Sequence, residues 1–290
     1  MQTITGKTQL FGVIGHPVSH SLSPVMHNAV LRHLQLDYAY AAFPIAPENL
    51  KMAIAGLGMS GVQGLNVTIP HKQSVMSCLS SISTVAQQVG AVNTLTMGAK
   101  GWEGTNTDVE GFMAPLLKLN RDWAQVNPVI LGNGGAARAV VVACYQLGCP
   151  EIVVVGRNFD KLAQFQQSWG DRRIKERLNT LPWEALPALI PQATLLVNTT
   201  PIGMAPHPHQ SPVSEALMAQ VTPTAIAYDL IYTPRPTQFL KLAKRHGLKT
   251  IDGLEMLVQQ GAASLKIWLK QEDIPVKIMR QALIDYFGQS

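Results

Sequence analysis

The ten residues Val129-Ile-Leu-Gly-Asn-Gly-Gly-Ala-Ala-Arg138 carry more structural information than any other part of this chain. A short apolar strand runs into a glycine turn, and a helix follows at once. Gly132, Gly134 and Gly135, with Ala137 in the last place, fit the pattern G-x-G-x-x-G/A. Glycines at these places allow a tight turn and let the backbone approach a pyrophosphate at the helix N-terminus. The stretch therefore predicts the first half of a dinucleotide-binding βαβ unit.

A second apolar strand, Glu151-Ile-Val-Val-Val155, completes that unit. NAD-binding proteins usually carry Asp or Glu at the end of this strand, where the carboxylate binds the ribose 2′-hydroxyl. Here Arg157 stands at that place and Lys161 follows one turn later. Two cations attract a 2′-phosphate, so the sequence predicts NADP rather than NAD. The alternative is that both side chains are simply solvated beside a helix start.

Length and composition place the chain among folded proteins. Its 290 residues suffice for one large or two modest domains, and 47% hydrophobic against 14% charged residues predicts sizeable cores. The net charge of +5 raises the question of nucleic acid. Lys and Arg are mostly scattered without interleaved aromatic residues, and the densest cluster, residues 172–177, is typical of a solvated surface. We expect no nucleic-acid partner, whereas a basic surface suits anionic ligands.

The cysteines indicate a reducing compartment. Cys78, Cys144 and Cys149 are odd in number and lack C-x-x-C spacing, so they are predicted to be reduced thiols in or near a core. The first residues do not resemble a signal peptide, and no run approaches the roughly 18 apolar residues of a membrane helix. These features predict a cytoplasmic protein without a membrane association.

Strands and helices alternate along the chain. The predicted strands cover residues 9–14, 38–44, 64–69, 92–97, 102–105, 129–131, 151–155, 194–197, 225–230 and 249–251. The predicted helices cover residues 24–34, 47–55, 108–119, 135–147, 254–269 and 276–287, with one more directly after residue 69. Strands joined by helices favour parallel sheets covered on both faces, which is an α/β architecture.

The same pattern predicts two α/β domains. Residues 1–119 plus 252–290 form the first, and its last two helices pack back on it because their apolar residues recur at helical spacing. Residues 120–251 form the second, a Rossmann-like nucleotide-binding domain.

Three polar clusters lie where strands of the first domain end. They are residues 19–24, residues 66–72, and residues 91–94 together with 104–108. Hydroxyl and N–H groups at a helix start can hold an anion, although a serine-rich N-cap explains the first cluster equally well. Lys72 and Asp108 could form a proton-handling pair, but a surface Lys and a helix-capping Asp remain the alternative on spacing alone.

The order of these motifs resembles the shikimate dehydrogenases over nearly the whole chain. The matching motifs are S-x-S-x-S-P (19–24), N-V-T-x-P-x-K (66–72), A-V-N-T (91–94), G-x-N-T-D-x-x-G (104–111), G-x-G-G-A (132–136), N-T-T-P-x-G-M (198–204), Y-D-x-x-Y-x-P (228–234) and G-x-x-M-L-V-x-Q (253–260). Each motif alone is a weak signal, whereas so many in the same order are specific.

The resemblance implies NADPH-dependent reduction of 3-dehydroshikimate to shikimate, a step of aromatic amino-acid biosynthesis. In this family two serine hydroxyls and a tyrosine hold the substrate carboxylate, and further side chains contact the ring hydroxyls. A lysine and its carboxylate partner are the acid–base pair, which the resemblance places at Lys72 and Asp108. The substrate contacts it implies are Ser21, Ser23, Thr68, Lys72, Asn93, Asp108, Tyr232 and Gln260.

The resemblance also implies a set of cofactor contacts. They are Gly132, Asn133, Gly134, Gly135 and Ala136 at the pyrophosphate, Arg157 and Lys161 at the 2′-phosphate, and Thr199, Leu230 and Gly253 around the nicotinamide. The family's adenosine loop usually reads N-R-T-x-x-R. This chain has Gly156, Asn158 and Lys161 at the three fixed places around Arg157. Both positive charges remain, but the second loses the bidentate geometry of a guanidinium.

Other interpretations remain beside this one. A related quinate/shikimate dehydrogenase would tolerate NAD and an extra ring hydroxyl; Arg157 speaks against the first property and Ser23 against the second. A catalytically silent NADP(H)-binding regulator would be favoured by a missing Lys72 or Asp108, and both are present. We expect no metal site, because His207-Pro-His209 lacks further ligands. Assembly as a homodimer is left open.

Overall fold

The computed structural model describes residues 3–288, which divide into two compact units. One unit comprises the chain up to Thr107 together with the chain from Val258 onward, and the other is Asp108–Leu257. The predicted boundaries were residues 119/120 and 251/252, so the structure assigns the helix Asp108–Leu117 to the second unit. That helix packs against Gly135–Leu147, the helix after the glycine turn, which explains its place there.

The first unit is built on strands from the first hundred residues. Its strands are β1 (Gln9–Gly15), β2 (Tyr38–Pro44), β3 (Val62–Val67), β4 (Ser81–Ile82), β5 (Thr94–Gly98) and β6 (Gly101–Thr105). Its helices are α1 (Ser23–His33), α2 (Leu50–Met59), α3 (Thr84–Val89), the part of α11 (Gly253–Leu269) from Val258 onward, and α12 (Val276–Gly288). Short 3-10 helices cover Pro47–Asn49 and Ser74–Cys78.

The sheet of the first unit is mixed, with strand order β2-β1-β3-β5-β6-β4. β1 pairs in parallel with β2 and β3, whereas β5 pairs antiparallel with β3 and β6. The edge strand β4 pairs in parallel with β6, so the parallel pairing that the alternation of strands and helices favours is interrupted at β5, which is antiparallel to both of its neighbours. The chain reverses between β5 and β6 at Gly101, whose φ of +116° is accessible mainly to glycine.

The α-helix predicted after β3 is absent from the described chain, where turns and the 3-10 helix Ser74–Cys78 stand in its place. The Lys72 carbonyl accepts a hydrogen bond at 2.7 Å from the Val92 N–H, a partner outside this segment. This region is therefore a tight connection that ties the end of β3 to the loop before β5.

Apolar side chains on one face of the sheet form the core of the first unit. The buried members include Ile14, Leu65, Val67 and Leu95 from the strands, with Ile54 from α2. α12 packs against α1 in the same unit, which confirms that the C-terminal helix returns to the first domain.

The second unit contains the predicted βαβ unit and more strands than the sequence indicated. Its strands are β7 (Pro128–Leu131), β8 (Ile152–Gly156), β9 (Leu178–Pro182), β10 (Leu195–Asn198), β11 (Ile226–Asp229) and β12 (Lys249–Ile251). Its helices are α4 (Asp108–Leu117), α5 (Gly135–Leu147), α6 (Phe159–Gln167), α7 (Arg172–Arg177), α8 (Leu186–Leu189), α9 (Glu215–Met218) and α10 (Gln238–Arg245). The strand β9 was not predicted.

The six strands of the second unit are all parallel, in the order β12-β11-β10-β7-β8-β9. Every residue of β7, β8 and β10 is buried, as expected for central strands with both faces covered. The order reverses at β7, because the chain moves first to β8 and β9 and then to β10. Ligands of such sheets bind beyond the carboxyl ends of the strands at this switch point.

Two further predictions from the sequence concern the state of the cysteines and the presence of membrane-spanning helices. The three cysteines are free thiols, Cys78 half-buried and the other two buried, as predicted. Among residues 3–288 no helix has the length and apolar character needed to cross a membrane.

Candidate active site

The sheet of the second unit brings the predicted cofactor residues to one edge. The register places Leu131 opposite both Val155 and Asn198, and Asn198 opposite Asp229. The residues that follow these strand ends, and the helix starts beside them, therefore lie along the same carboxyl edge. They are Gly132, Asn133, Gly134, Gly135, Ala136, Arg157, Lys161, Thr199, Leu230 and Gly253.

Gly132 is required by the shape of the turn after β7. Its φ is +101°, and a Cβ there would lie 2.9 Å from Thr200 Cγ2 and 3.0 Å from Thr199 Oγ1. The Thr199 hydroxyl donates to the Leu131 carbonyl at 2.8 Å, and the Gly132 N–H donates to the Val155 carbonyl at 2.8 Å. The loop after β10 therefore packs against the glycine turn and is hydrogen-bonded to its backbone, which gives Thr199 a structural role at this site.

Gly134 and Gly135 are different, because protein packing does not require glycine there. A Cβ on either would meet no protein atom within 4 Å, and both residues are exposed. Gly134 is the N-cap of α5, and within residues 3–288 no side chain caps that end. A thirteen-residue helix therefore directs its first N–H groups and its positive dipole end to an accessible surface, which fits a pyrophosphate.

Two cations flank the next helix start along the edge. Arg157 follows β8 directly, and Lys161 lies in the first turn of α6; both are exposed. Asn158 caps α6 by accepting a hydrogen bond from the Lys161 N–H at 2.8 Å, which fixes the helix start between the two cations. Their charge and position fit a 2′-phosphate and oppose the carboxylate pattern of NAD-binding proteins.

A buried polar network of Asn198, Asp229 and Thr237 lies beneath this edge and was not predicted from the sequence. The Asn198 amide donates to an Asp229 carboxylate oxygen at 3.0 Å, and the Thr237 hydroxyl donates to the other at 2.6 Å. Burial raises the pKa of Asp229 to about 6, against the lowering effect of these bonds and of the Ile231 N–H. The network fixes the loops after β10 and β11. The sequence signal for this network is that β10 and β11, which are otherwise apolar, each end in a polar residue, Asn198 and Asp229.

The loop after β11 is fitted closely to the start of α11. A Cβ on Gly253 would overlap the Leu230 carbonyl oxygen, so only glycine fits there. The Arg235 guanidinium donates two hydrogen bonds, at 2.6 and 2.8 Å, to the same Asp252 oxygen and joins the same two segments. Tyr232 lies half-buried in this loop, and burial raises its pKa.

The first unit holds the paired serines at the start of α1, which follows β1. Ser21 is half-buried, and its hydroxyl oxygen accepts the Ser23 N–H at 3.3 Å. Ser23 is buried. Tyr40 of β2, whose hydroxyl donates to the Asn66 side-chain oxygen at 2.8 Å, was not predicted from the sequence, because a tyrosine in a strand is ordinary.

Thr68 and Lys72 lie just beyond β3, beside the end of β1. The Thr68 N–H donates to the Ile14 carbonyl at 2.9 Å, and its own carbonyl accepts from the His71 N–H at 2.9 Å. Both Thr68 and Lys72 are half-buried, and the Lys72 main chain is held by Val92, the neighbour of Asn93. The backbone therefore fixes where both side chains start.

Asn93 is the centre of a buried network. Its side-chain oxygen accepts from the Thr107 N–H at 2.8 Å, and its amide donates to the Thr107 hydroxyl at 3.0 Å and to the Gln260 oxygen at 3.4 Å. Thr94 and Ser264 extend the network, with 2.9 Å between their hydroxyl oxygens. Two predicted substrate contacts, Asn93 and Gln260, are thus brought together.

Lys72 belongs to the first unit and Asp108 is the first residue of the second. Asp108 is buried and directly follows Thr107, whose N–H is bound by Asn93. The pairing of Lys72 with Asp108 stays a prediction. Among residues 3–288 no three His, Cys, Asp or Glu side chains are grouped as metal ligands would be.

Two family models match the chain. The model described as "Shikimate dehydrogenase substrate binding domain" matches residues 13–95, which include the serine, threonine, lysine and asparagine positions of the first unit. The model described as "Shikimate 5'-dehydrogenase C-terminal domain" matches residues 253–284, which include Gly253 and Gln260.

Relatives and solved structures agree with these models. A protein of Synechocystis sp. named "Shikimate dehydrogenase (NADP(+))" is 67% identical over 290 residues, which is 100% of both chains. A crystal structure of a shikimate dehydrogenase in complex with NADP+ is 36% identical, with a TM-score of 0.86 over 98% of this chain and 97% of the other. The enzyme of Thermus thermophilus in complex with NADP(H) and shikimate is 33% identical, with a TM-score of 0.81 over 94% and 98%. The chain therefore belongs to the shikimate dehydrogenase family of NADP-dependent oxidoreductases that act on a CH–OH group.

Proposed function

We propose that this chain catalyses the reversible, NADPH-dependent reduction of 3-dehydroshikimate to shikimate, a step of aromatic amino-acid biosynthesis. The observation that carries the proposal is full-length identity of 67% to a protein named for this activity, on a chain that holds both the glycine turn and the hydroxyl-rich strand ends. Domain roles follow: the first unit supplies most of the substrate contacts, and the second unit binds NADP.

Substrate recognition is assigned to hydroxyl and amide groups of the first unit and to one tyrosine of the second. Ser21, Ser23 and Tyr232 donate hydrogen bonds to the carboxylate, which can only accept them. Asn93 and Gln260 are already oriented by their mutual hydrogen bond, so little side-chain entropy is lost when they bind ring hydroxyls. Thr68 completes this set.

The chemical step needs a proton as well as a hydride. The reduced nicotinamide, when bound, supplies the hydride to the carbonyl carbon of the ring. The oxygen then gains electron density, and Lys72 is the proposed donor of the proton that converts it to a hydroxyl. Asp108 is the proposed partner that orients the Lys72 ammonium for donation.

Cofactor binding is assigned to the carboxyl edge of the second sheet. The N–H groups around Gly132, Asn133, Gly134, Gly135 and Ala136 bind the pyrophosphate, and Arg157 with Lys161 binds the 2′-phosphate. Thr199, Leu230 and Gly253 shape the nicotinamide end, with Met204 in the loop that Thr199 begins. The open space at the Cβ positions of Gly134 and Gly135 supports this assignment, because it leaves room for a pyrophosphate to approach the backbone N–H groups.

The test is a four-way steady-state assay of shikimate and quinate, each with NADP and NAD, followed by the absorbance of reduced nicotinamide. We expect the highest kcat/KM for shikimate with NADP. A preference for quinate with NAD would replace the proposal with the quinate/shikimate dehydrogenase alternative. Cofactor binding without turnover of either acid would indicate a catalytically silent NADP(H)-binding regulator.

Cellular location and assembly are further proposals. We place the protein in the cytoplasm, because its three cysteines are free thiols, as is usual in a reducing compartment. A homodimer is the assembly we propose to test first, by size-exclusion chromatography with light scattering.

A further inference from the structure

His71 directly precedes Lys72 in the turn after β3, and its side chain is completely buried. The ring nitrogen Nε2 lies 2.7 Å from the Ile45 carbonyl oxygen. A carbonyl can only accept, so Nε2 carries a hydrogen and donates it to Ile45. The other ring nitrogen, Nδ1, has no hydrogen-bond partner among the described residues. The polar contact of this ring is therefore its bond to the main chain just beyond β2.

Ile45 is itself held in place, so its carbonyl is a fixed acceptor. It is buried, it follows the last residue of β2, and its N–H donates to the carbonyl of Gly15 at the end of β1 at 3.0 Å. Gly15 in turn packs against the turn after β3, because a Cβ on Gly15 would lie 2.5 Å from Thr68 Cγ2. The bond from His71 thus joins the turn after β3 to the adjacent ends of β1 and β2.

The main chain of the same turn is anchored on both sides of His71. The Ile69 carbonyl accepts the His16 N–H at 2.9 Å, and the Lys72 carbonyl accepts the Val92 N–H. These main-chain bonds do not depend on the identity of the side chain at position 71. A substitution of His71 should therefore leave the course of the turn intact and remove only the bond that stands directly before Lys72.

We propose that His71 is a positioning residue for Lys72, and that its bond to Ile45 fixes the main chain from which the Lys72 side chain starts. The inference rests on the proposed function, in which Lys72 donates a proton to the substrate oxygen. Proton transfer requires donor and acceptor within hydrogen-bond reach, so a small displacement of the ammonium lowers the rate of the chemical step more than it lowers binding. His71 itself is buried and does not contact the substrate.

The test compares two substitutions of similar length. His71→Gln keeps an N–H donor that can reach the Ile45 carbonyl, whereas His71→Met has no donor. We expect His71→Met to lower the single-turnover rate of shikimate oxidation by NADP about tenfold, with the KM for NADP changed less than about twofold. His71→Gln should recover most of that rate, because it restores the hydrogen bond.

The matched control is Trp102→Phe, which removes the same kind of bond elsewhere in the first unit. The Trp102 ring nitrogen donates to the buried Ile54 carbonyl at 2.9 Å and joins β6 to α2. Trp102→Phe should lower the Tm, as His71→Met does, but should change the single-turnover rate less than about twofold. Loss of stability alone would therefore not reproduce the effect of His71→Met.

A double-mutant cycle tests whether His71 acts through Lys72. In the Lys72→Ala background no ammonium remains to be positioned, so His71→Met should change the residual single-turnover rate less than about twofold. A general structural role would lower the rate by the same factor in both backgrounds. Should His71→Met fail to fold, His71→Asn takes its place, because its amide is too short to reach the Ile45 carbonyl.

Three outcomes would overturn the inference while wild-type turnover of shikimate with NADP upholds the proposed function. They are a wild-type rate in the variant without the donor, an equal loss in that variant and in His71→Gln, and an undiminished effect in the Lys72→Ala background. Absence of wild-type turnover of shikimate would instead reject the proposed function, and the inference with it.

Discussion

We expect the first unit to lose stability at acidic pH because of His27, and a single substitution of His27 should remove this loss. The side chain is completely buried, stacked on Tyr40 and 5.8 Å from the Trp268 ring. Among the described residues neither ring nitrogen has a hydrogen-bond partner. Burial lowers the pKa of His27 from 6.5 to about 3, because a charged imidazole would have no solvation there.

The sign follows from proton linkage. Between pH 6.5 and about 3 the unfolded chain binds a proton at His27 and the folded chain does not, so the free energy of unfolding falls as the pH falls. Each pH unit in that window corresponds to about 1.4 kcal/mol, so lowering the pH from about 7.5 to about 5 should remove about 2 kcal/mol. Asp229, whose pKa is raised to about 6, contributes the opposite slope in the second unit, so a variant comparison is needed.

The comparison is His27→Phe, which keeps a flat ring against Tyr40 and cannot be protonated. Tm is measured by scanning calorimetry, and about 2 kcal/mol corresponds to about 4–8 °C in Tm for a unit of this size. The Tm of the wild type should fall by that much more than the Tm of His27→Phe over the same pH change. The control is His33→Gln, an exposed histidine of the same helix, which should behave as the wild type. Equal pH dependence in His27→Phe and wild type would refute the reasoning.

Three other substitutions test the site. Lys72→Ala should lower kcat by about 10²- to 10⁴-fold with NADP affinity retained, as measured by steady-state kinetics and cofactor titration; near-normal kcat would reject the proton-donor role. Arg157→Asp should weaken NADP binding by about tenfold or more while NAD binding changes little, and equal weakening of both would argue against a 2′-phosphate contact. Gly253→Ala should destabilise the second unit by about 1–3 kcal/mol in denaturant unfolding, because the new Cβ overlaps the Leu230 carbonyl; wild-type stability would show that the loop after β11 yields.

The parts of the fold that local patterns determine were predictable from the sequence. The strand β2 and the strand β12 were predicted to the residue, and α5 followed from the glycine turn before it. The prediction of a helix after β3 was wrong, because the geometry of this segment depends on a partner twenty residues away. That partner is the Val92 N–H, which donates to the Lys72 carbonyl. Short strands such as β4, with two residues, are too brief to have a period.

The site shows the same limit. Motifs indicated Asn93 and Gln260, but only the structure reveals that they are hydrogen-bonded across 167 positions of sequence. Asn66 and Asp229 were quoted only as members of motifs and received no role, because a buried polar side chain looks ordinary until its partners are known. The pairing of Lys72 with Asp108 and the individual ligand contacts stay predictions.

The contact between Gly132 and the loop after β10 affects when the nucleotide site forms during folding. The βαβ unit of β7, α5 and β8 is local in sequence, whereas Thr199 joins it only when β10 pairs with β7 across more than sixty residues. Long-range parallel pairing is slow, because loop closure must precede any gain from contacts. A newly made chain should therefore acquire nucleotide affinity late, after the long-range strands of the second sheet have paired. Dinucleotide added during refolding would bind fully folded molecules rather than early intermediates.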